Sequence, residues 1–369
     1  MTAAASRPRA PSGDPAPGRP ADVPSMRERA LGALTGLALG DALGMPTQSM
    51  SPEQIRQHYG TITGLRSAVA EQPIAPSMPA GSVTDDTEQA LILAGLLIDG
   101  GGHIDPHRFA DTLLTWEDNV RARGSLDLLG PSTKLALERV RAGADPRRTG
   151  REGTTNGASM RVAPVGIAFS LSTADDALAR AIHDSCLVTH DTRQGFEAAG
   201  LIAAAVSAAI DGADAEAALE AALDFVAAHP GRGHWTEKAS VVARARLALE
   251  TSRNLHDDAL ANYLREYVGT SVESAESVPC ALVVVREFAQ RPLTGLCFIA
   301  ELGGDTDTIA AMAGAILGAS APRLLPAEPV GQVLERSGLE LGPLCEALLA
   351  IRSGGGGRSQ EVISDGRRS

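Results

Sequence analysis

The sequence predicts an all-α protein, and three observations lead to this class. Alanine and leucine dominate the composition, and both favour helices. Alternating runs of β-branched residues, the usual signal of strands, are scarce. Apolar residues recur at spacings of three and four, as in Leu91, Ala94, Leu97 and Ile98, which is the period of one helix face. We therefore expect a chain made of helix after helix.

The same periodicity places the individual helices. Clusters of glycine and proline separate them, most visibly at residues 61–82, 100–102 and 229–233. The predicted helices span residues 26–44, 86–99, 105–119, 132–142, 174–186, 193–211, 214–228, 238–251, 256–267, 278–290, 292–302, 308–318 and 342–352.

Length and composition set the domain organisation. The chain has 369 residues, of which 44% are hydrophobic and 21% are charged, as in ordinary globular proteins. Length alone suggests about two domains. Two acidic clusters near residues 85 and 305 are expected to share one site, however, so we predict one domain over residues 26–352. Residues 1–25 and 353–369 are low in complexity and are predicted to be disordered tails.

Charge and cysteine usage exclude several classes of protein. The net charge of −12 argues against nucleic-acid binding, which needs clustered Lys and Arg. The four cysteines lie far apart and form no CxxC pair, so we expect free, buried thiols. Residues 1–25 lack the apolar segment of a signal peptide, which predicts a cytoplasmic protein.

A stripe of glycines marks the first predicted helix. Gly32, Gly36, Gly40 and Gly44 recur every four positions, and small residues on one face allow another helix backbone to approach closely. A membrane-spanning interpretation fails because the apolar run is too short and Asp41 interrupts it. We therefore expect helix packing in a protein without membrane contact.

The first acidic cluster comes directly before the helix predicted at residues 86–99. Residues 81–88 (GSVTDDTE) place Thr84, Asp85 and Asp86 after a glycine. One interpretation is a capping box formed by Asp85 with Glu88, because acids also suit the positive end of a helix dipole. The other interpretation is a cation site, and this cluster alone does not decide between them.

The second cluster repeats the design before the helix predicted at residues 308–318. Residues 303–308 (GGDTDT) contain Asp305, Asp307 and Thr308. Two carboxylates about 4 Å apart repel by about 4 kcal/mol at an effective dielectric constant of about 20, so four that converge need cations. Carboxylate and hydroxyl oxygens without His or Cys favour Mg²⁺ or Mn²⁺ over Zn²⁺ or Cu²⁺. Two such ions can clamp a substrate oxygen and activate a water molecule.

Five stretches in this order resemble the ADP-ribosylglycohydrolase family. They are residues 36–44 (GLALGDALG), 84–87 (TDDT), 155–164 (TNGASMRVAP), 189–190 (TH) and 303–308 (GGDTDT). The resemblance implies a compact orthogonal bundle of helices with a central cleft for two Mg²⁺ or Mn²⁺ ions. It implies that the metals are held by Thr84, Asp85, Asp86, Asp305, Asp307 and Thr308, with Asp85, Asp86 and Asp305 as catalytic residues. Carboxylates around the sugar would stabilise positive charge that develops on it.

The resemblance also implies residues that contact the substrate. Thr154, Thr155, Asn156 and Gly157 would form a loop for ribose and phosphate, and His190 would touch the substrate. From the residues alone, His190 is better explained as a buried, hydrogen-bonded core histidine. Gly130 and Ser132 begin a helix whose amides could meet a pyrophosphate, although Ser132 could equally be a simple N-cap.

Two positions depart from the family pattern. Gln48 stands where relatives often carry a glutamate that closes over the metals, and a glutamine cannot exchange a proton. The alternative is that Glu53, which lies close by in the sequence, is the residue that matches this glutamate. Thr154 stands where some relatives place a tyrosine, and aromatic residues make up only 3% of the chain. Gln48 affects the expected leaving group more than the metal site, whereas Thr154 and the low aromatic content weaken the case for a pocket that stacks adenine.

The expected function is hydrolysis of the glycosidic bond between ADP-ribose and an acceptor by a metal-activated water. The substrate would be an ADP-ribosylated protein or a small ADP-ribosyl or ribosyl compound. One alternative is an N-ribosyl hydrolase of a small metabolite or nucleoside. A second alternative is a non-catalytic, crystallin-like binding or structural protein, which the intact acidic clusters argue against.

Overall fold

The structure is a computed structural model that describes residues 23–122 and 129–354. Within these two ranges the chain is helical and contains no strand, so the predicted all-α class is confirmed. The helices are α1 (Met26–Gly44), α2 (Pro52–Tyr59), α3 (Asp85–Asp99), α4 (Pro106–Ala122), α5 (Pro131–Arg141), α6 (Gly157–Met160), α7 (Ala163–Ala168), α8 (Asp175–Cys186), α9 (Arg193–Ile210), α10 (Ala215–Ala228), α11 (Val241–Thr251), α12 (Asp257–Tyr263), α13 (Ser274–Glu287), α14 (Pro292–Ala300), α15 (Thr306–Ser320), α16 (Ala327–Ser337) and α17 (Leu341–Gly354).

Every predicted helix is present, with ends shifted by a few residues. Helix α1 begins at Met26 because Ser25 and Glu28 form a capping box. The predicted helix 256–267 is α12, which continues as a short π-helix over Leu264–Val268. The prediction missed α2, α6, α7 and α16, since α6 and α7 are short and α2 and α16 each bury only one residue.

Helices α1 and α15 pack along the glycine stripe. A Cβ atom on Gly36 would lie 2.1 Å from the carbonyl oxygen of Gly314, and one on Gly40 would lie 2.0 Å from that of Ala310. Real Cβ atoms do not come so close to a backbone, so only glycine fits here. The predicted close approach of another helix to this stripe is confirmed.

The two acidic clusters lie at helix starts that this packing brings together. Asp85 is the first residue of α3, and Asp305 is the N-cap of α15. Gly303 and Gly304 both have φ near the left-handed region, at 82°, which lets the chain turn sharply into α15. The turn is fixed by segment 49–50, because Ser49 donates to Gly304 O at 2.7 Å and Gly304 N donates to Met50 O at 3.1 Å.

Other sequence expectations concern the chain ends and the cysteines. The predicted tails lie largely outside the described residues, at 1–22 and 355–369, and helix α17 runs to Gly354. The four cysteines, Cys186, Cys280, Cys297 and Cys345, are buried and free as expected. None of the described helices is both long and apolar enough to cross a membrane.

Candidate functional site

The centre of the site is Asp41, a fully buried residue of α1 that organises the first acidic cluster. Its carboxylate accepts hydrogen bonds from the backbone N–H and Oγ1 of Thr84, the latter at 2.8 Å. It also accepts from the N–H and Oγ1 of Thr87, the latter at 2.5 Å. Asp41 therefore fixes the backbone on both sides of Asp85 and Asp86.

This arrangement excludes the capping interpretation of the first cluster. The N-cap of α3 is Thr84, whose side chain makes no capping hydrogen bond. Asp85 is already inside the helix, and Glu88 accepts from the indole of Trp116 at 2.6 Å. The capping box of Asp85 with Glu88 is wrong, because Asp41 from another helix satisfies the first amides instead.

The second cluster meets the first across the start of α15. Thr308 donates to Oδ2 of Asp86 at 3.4 Å, and Thr84 donates to the same oxygen at 3.1 Å. Asn156 donates to Oδ2 of Asp305 at 2.5 Å and also lies 3.0 Å from Ser277 Oγ. The structure thus brings the two predicted metal clusters and one residue of the predicted substrate loop into a single buried site.

The buried carboxylates of the two clusters raise one another's pKa. Burial raises the pKa of Asp85 well above its usual value, and the charges of Asp41 and Asp305 raise it further. Burial and then Asp307 raise the pKa of Asp86, while burial and then Asp305 raise that of Asp307. Burial also raises the pKa of Asp41, to about 6. These acids carry a mutual repulsion that a cation would relieve.

The residues fit a hard divalent cation in chemistry. Asp86 Oδ1 and Asp307 Oδ1 are buried and have no hydrogen-bond partner, which is costly unless something else satisfies them. Carboxylate and hydroxyl oxygens are the ligands that Mg²⁺ and Mn²⁺ prefer. In residues 23–122 and 129–354, however, no three His, Cys, Asp or Glu side chains already form a group that could hold a metal ion. A two-metal cleft therefore stays a prediction.

A chain of buried hydrogen bonds leads away from Asp85. Gln89, one turn later on α3, donates from Nε2 to Asp85 Oδ2 at 3.1 Å. Arg161 donates to Gln89 Oε1 at 2.7 Å and to Thr189 Oγ1 at 2.5 Å. Arg161 is fully buried, which lowers its pKa to about 10. It holds Gln89 in the orientation that points the amide N–H at Asp85.

The same series of hydrogen bonds reaches the predicted substrate loop through His190. Its Nδ1 lies 2.7 Å from Thr189 Oγ1, and its Nε2 lies 3.0 Å from Thr155 Oγ1. The ring is fully buried, and burial lowers its pKa well below the usual value. His190 therefore has the geometry of a buried core histidine. The predicted direct contact with substrate finds no support in this geometry, and any influence of His190 would pass through Thr155.

The remaining predicted contacts lie at the edge of the site. The helix predicted to begin at Ser132 is α5, whose N-cap is Gly130, so the alternative of Ser132 as N-cap is wrong. Ser132 Oγ instead accepts from the N–H of Thr155 at 3.4 Å. Gly157 packs against His190, since a Cβ there would lie 2.9 Å from the ring. Thr154 donates to Glu273 at 3.3 Å.

Gln48 lies beside the turn into α15. Only 7% of its surface is exposed, and its Nε2 is buried with no hydrogen-bond partner. Its backbone carbonyl oxygen accepts from Gln72 Nε2 at 3.1 Å. The side chain therefore has an unused donor next to the segment that pairs with Gly304.

Three residues of the site were missed by sequence reasoning, which are Asp41, Gln89 and Arg161. A usable signal was present for the first two. Asp41 is the one charged residue in the apolar stretch 36–44, and Gln89 precedes an apolar run in α3. A polar side chain forced into an apolar helix needs a buried partner. The partner itself comes from elsewhere in the chain, so the pattern alone does not identify it.

Comparison with known proteins shows to which class the all-helical fold and the buried carboxylate site belong. The profile of the ADP-ribosylglycohydrolase family matches residues 22–356. The protein is thus a hydrolase of glycosidic bonds. The chain belongs to the ADP-ribosylglycohydrolase family.

Individual relatives agree with this assignment. The chain is 37% identical to the protein YegU of Escherichia coli K12 over 297 residues, which cover 79% of this chain and 87% of that one. It is 28% identical to the ADP-ribosylarginine hydrolase Tri1 of Pseudomonas putida over 306 residues, covering 79% of this chain and 70% of that one. A solved ADP-ribosylglycohydrolase-related protein complex contains a chain that superposes with a TM-score of 0.63 at 26% identity, covering 89% of this chain and 99% of that one. These relationships do not favour the non-catalytic alternative.

Proposed function

We propose that this protein is a divalent-metal-dependent hydrolase that releases ADP-ribose from a modified acceptor. One observation carries the proposal: Asn156 of the predicted substrate loop donates to Asp305, while Asp41 holds the Thr84–Asp86 turn beside it. Residues expected to bind sugar and residues expected to bind metal therefore belong to one hydrogen-bonded unit. Two Mg²⁺ or Mn²⁺ ions at this unit would supply positive charge to bind the ribose hydroxyls and to lower the pKa of water.

The chain's own residues have separate tasks in this proposal. Thr84, Asp85, Asp86, Asp305, Asp307 and Thr308 would hold the two ions. Asp85, fixed by Gln89, would orient the attacking water and accept its proton. The bond from the anomeric carbon to the acceptor breaks, and a bond to the water oxygen replaces it. The acceptor leaves with the electron pair of the broken bond and takes up a proton from solvent, and Asp85 later returns the proton of the water to solvent. The buried carboxylates would stabilise the positive charge that develops on the ribose ring during this step.

The acceptor proposed for testing is arginine. The name of the Pseudomonas putida relative specifies ADP-ribosylarginine, and that protein aligns over most of this chain. A modified protein or a small ADP-ribosyl compound would both present this linkage. Gln48 cannot carry a proton, so the proposal assigns no proton transfer to position 48.

Calorimetric titration with Mg²⁺ and Mn²⁺ tests the metal part of the proposal. Asp305→Ala and Asp85→Ala are each expected to abolish measurable ion binding while circular dichroism keeps the helical signal. Asp224→Ala is the matched control, because Asp224 lies on the surface of α10 with a side chain 82% exposed. Undiminished binding in Asp305→Ala would remove this cluster from consideration as the metal site.

A further inference from the structure

An exposed tryptophan lies in a segment that hydrogen bonds connect to the predicted substrate loop. The chain has two tryptophans, Trp116 and Trp235, and they differ sharply in environment. Trp116 is buried and bonded to Glu88, whereas Trp235 is 75% exposed. A single exposed aromatic is ordinary on a protein surface, so its meaning depends on where it is held.

The backbone before Trp235 is fixed to the substrate loop. His234 N donates to Asp191 O at 2.9 Å, and Arg193 N donates to His234 O at 2.9 Å. Thr192, between these partners, donates from Oγ1 to Gly153 O at 2.6 Å. Gly153 is the residue before Thr154, so a short path of hydrogen bonds links Trp235 to the loop of residues 154–157.

The chain after Trp235 is fixed to the same region. Thr236 donates to Gln194 Oε1 at 2.9 Å. Lys238 Nζ lies 3.0 Å from one oxygen of Glu273, whose other oxygen accepts from Thr154 at 3.3 Å. The segment of residues 234–238 is therefore held on both sides of Trp235, while the indole itself is open to solvent.

We propose that Trp235 is the stacking surface for the nucleobase of the substrate. The proposal rests on the proposed function, since it takes the ligand to be an ADP-ribosyl compound. Thr154 has no ring, so the loop of residues 154–157 provides no aromatic face of its own. The indole of Trp235, carried on a backbone that is hydrogen-bonded toward that loop, would provide one, and stacking of a base on tryptophan accepts any base because every base has a π face.

Binding experiments on the full chain with Mg²⁺ present test this assignment. The probes are ADP-ribose and ribose 5-phosphate, which lacks the base. Trp235→Ala is expected to weaken binding of ADP-ribose by about 5- to 150-fold, the range that base stacking provides, and to leave ribose 5-phosphate unchanged. Trp235→Phe keeps a ring and is expected to retain most of the affinity. Leu247→Ala, which removes a similarly exposed apolar side chain on α11, is the control and should change neither.

Fluorescence supplies a second readout. ADP-ribose is expected to quench the tryptophan emission of the native protein, and this quenching should disappear in Trp235→Phe, although that variant still binds. Equal ADP-ribose affinity in Trp235→Ala and the native protein would overturn the inference and leave the proposed function intact. Failure of the native protein to bind or release ADP-ribose would instead overturn the proposed function, and the inference with it.

Discussion

Gln89 and Asp85 form a hydrogen bond of 3.1 Å between Nε2 and Oδ2 within the first turns of α3. An amide side chain can rotate to present either oxygen or nitrogen, so this contact requires something to fix its orientation. Arg161 does so, because a guanidinium only donates and therefore takes the oxygen of Gln89. The site thus depends on a residue that does not itself reach the carboxylates.

Replacing Arg161 tests this dependence. Arg161→Met is expected to lower metal affinity or turnover by about 10- to 100-fold, as loss of residues that orient ligands commonly does. Arg161→Lys should recover little, because an ammonium cannot bond Gln89 and Thr189 with the same geometry. Ion titration and steady-state kinetics measure the effect. Arg27→Met is the control, since Arg27 is 56% exposed and pairs with Glu346 on the surface. Turnover equal to the native rate in Arg161→Met would show that the Gln89 amide keeps its orientation without Arg161.

Repulsion among the buried carboxylates predicts that removing one charge stabilises the metal-free protein and weakens metal binding. Asp307→Asn removes one charge from the cluster and is expected to stabilise the metal-free protein by about 1–2 kcal/mol. The same variant should lose the thermal stabilisation that Mg²⁺ gives the native protein. Melting curves with Mg²⁺ and with EDTA measure both effects, and Asp224→Asn should behave as native. A metal-free Asp307→Asn protein that melts below the native one would contradict the repulsion argument.

The contact of α1 with α15 predicts a large cost for one added methyl group. Gly36→Ala places a Cβ 2.1 Å from the carbonyl oxygen of Gly314, so the helices must separate. We expect a loss of about 1–3 kcal/mol or more in the free energy of unfolding. Gly95→Ala is the matched control in α3, where a Cβ meets nothing within 4 Å, and it should stabilise by about 0.5–1 kcal/mol. Urea unfolding distinguishes the two, and equal stability of both variants would contradict the packing described.

A salt bridge at the end of α17 predicts a pH dependence of stability. Arg352 is 3% exposed and lies 2.5 Å from Asp211, which lowers the pKa of that carboxyl below its usual 3.8 even though partial burial opposes the shift. Because the folded pKa is depressed, this stability is present above pH 3.8 and is lost as the pH falls through the folded pKa.

Asp211→Asn measures this contribution. The variant should be about 1–3 kcal/mol less stable than the native protein at pH 7, the usual worth of hydrogen bonds to a charged group. In urea unfolding experiments the difference should shrink as the pH falls from 3.8 through the folded pKa, below which the native carboxyl is also neutral. A difference that stays constant from pH 7 to acid would show that the charge of Asp211 does not matter. Asp224→Asn should show no such trend.

The sequence predicted the helices of the fold more completely than the hydrogen-bond partners of the residues in the site. The ends of α1 and the starts of α3 and α15 followed from periodicity and from the turn residues beside them. Helix α16 was not predicted because it buries only Val333 and therefore shows little of the apolar pattern that indicates a helix. The acidic clusters were found because two acids at a helix start exceed what capping requires.

The partners of those acids depended on distances between parts of the chain far apart in sequence. Asp41 bonds Thr84 across 43 positions, and Asn156 bonds Asp305 across 149. For His190 the motif indicated a substrate contact, whereas the structure shows a fully buried ring whose Nε2 lies 3.0 Å from Thr155 Oγ1. Packing, and not local pattern, decides which polar groups meet.

The most direct test of the central claim is release of ADP-ribose from ADP-ribosyl-arginine by the native protein, measured with Mg²⁺ or Mn²⁺ and again with EDTA. ADP-ribosyl-serine and several ribonucleosides complete the panel, and Asp305→Ala serves as the inactive control. We expect release of ADP-ribose that stops with EDTA and is absent in Asp305→Ala. Cleavage of ribonucleosides alone, or release that continues undiminished in EDTA, would contradict the account.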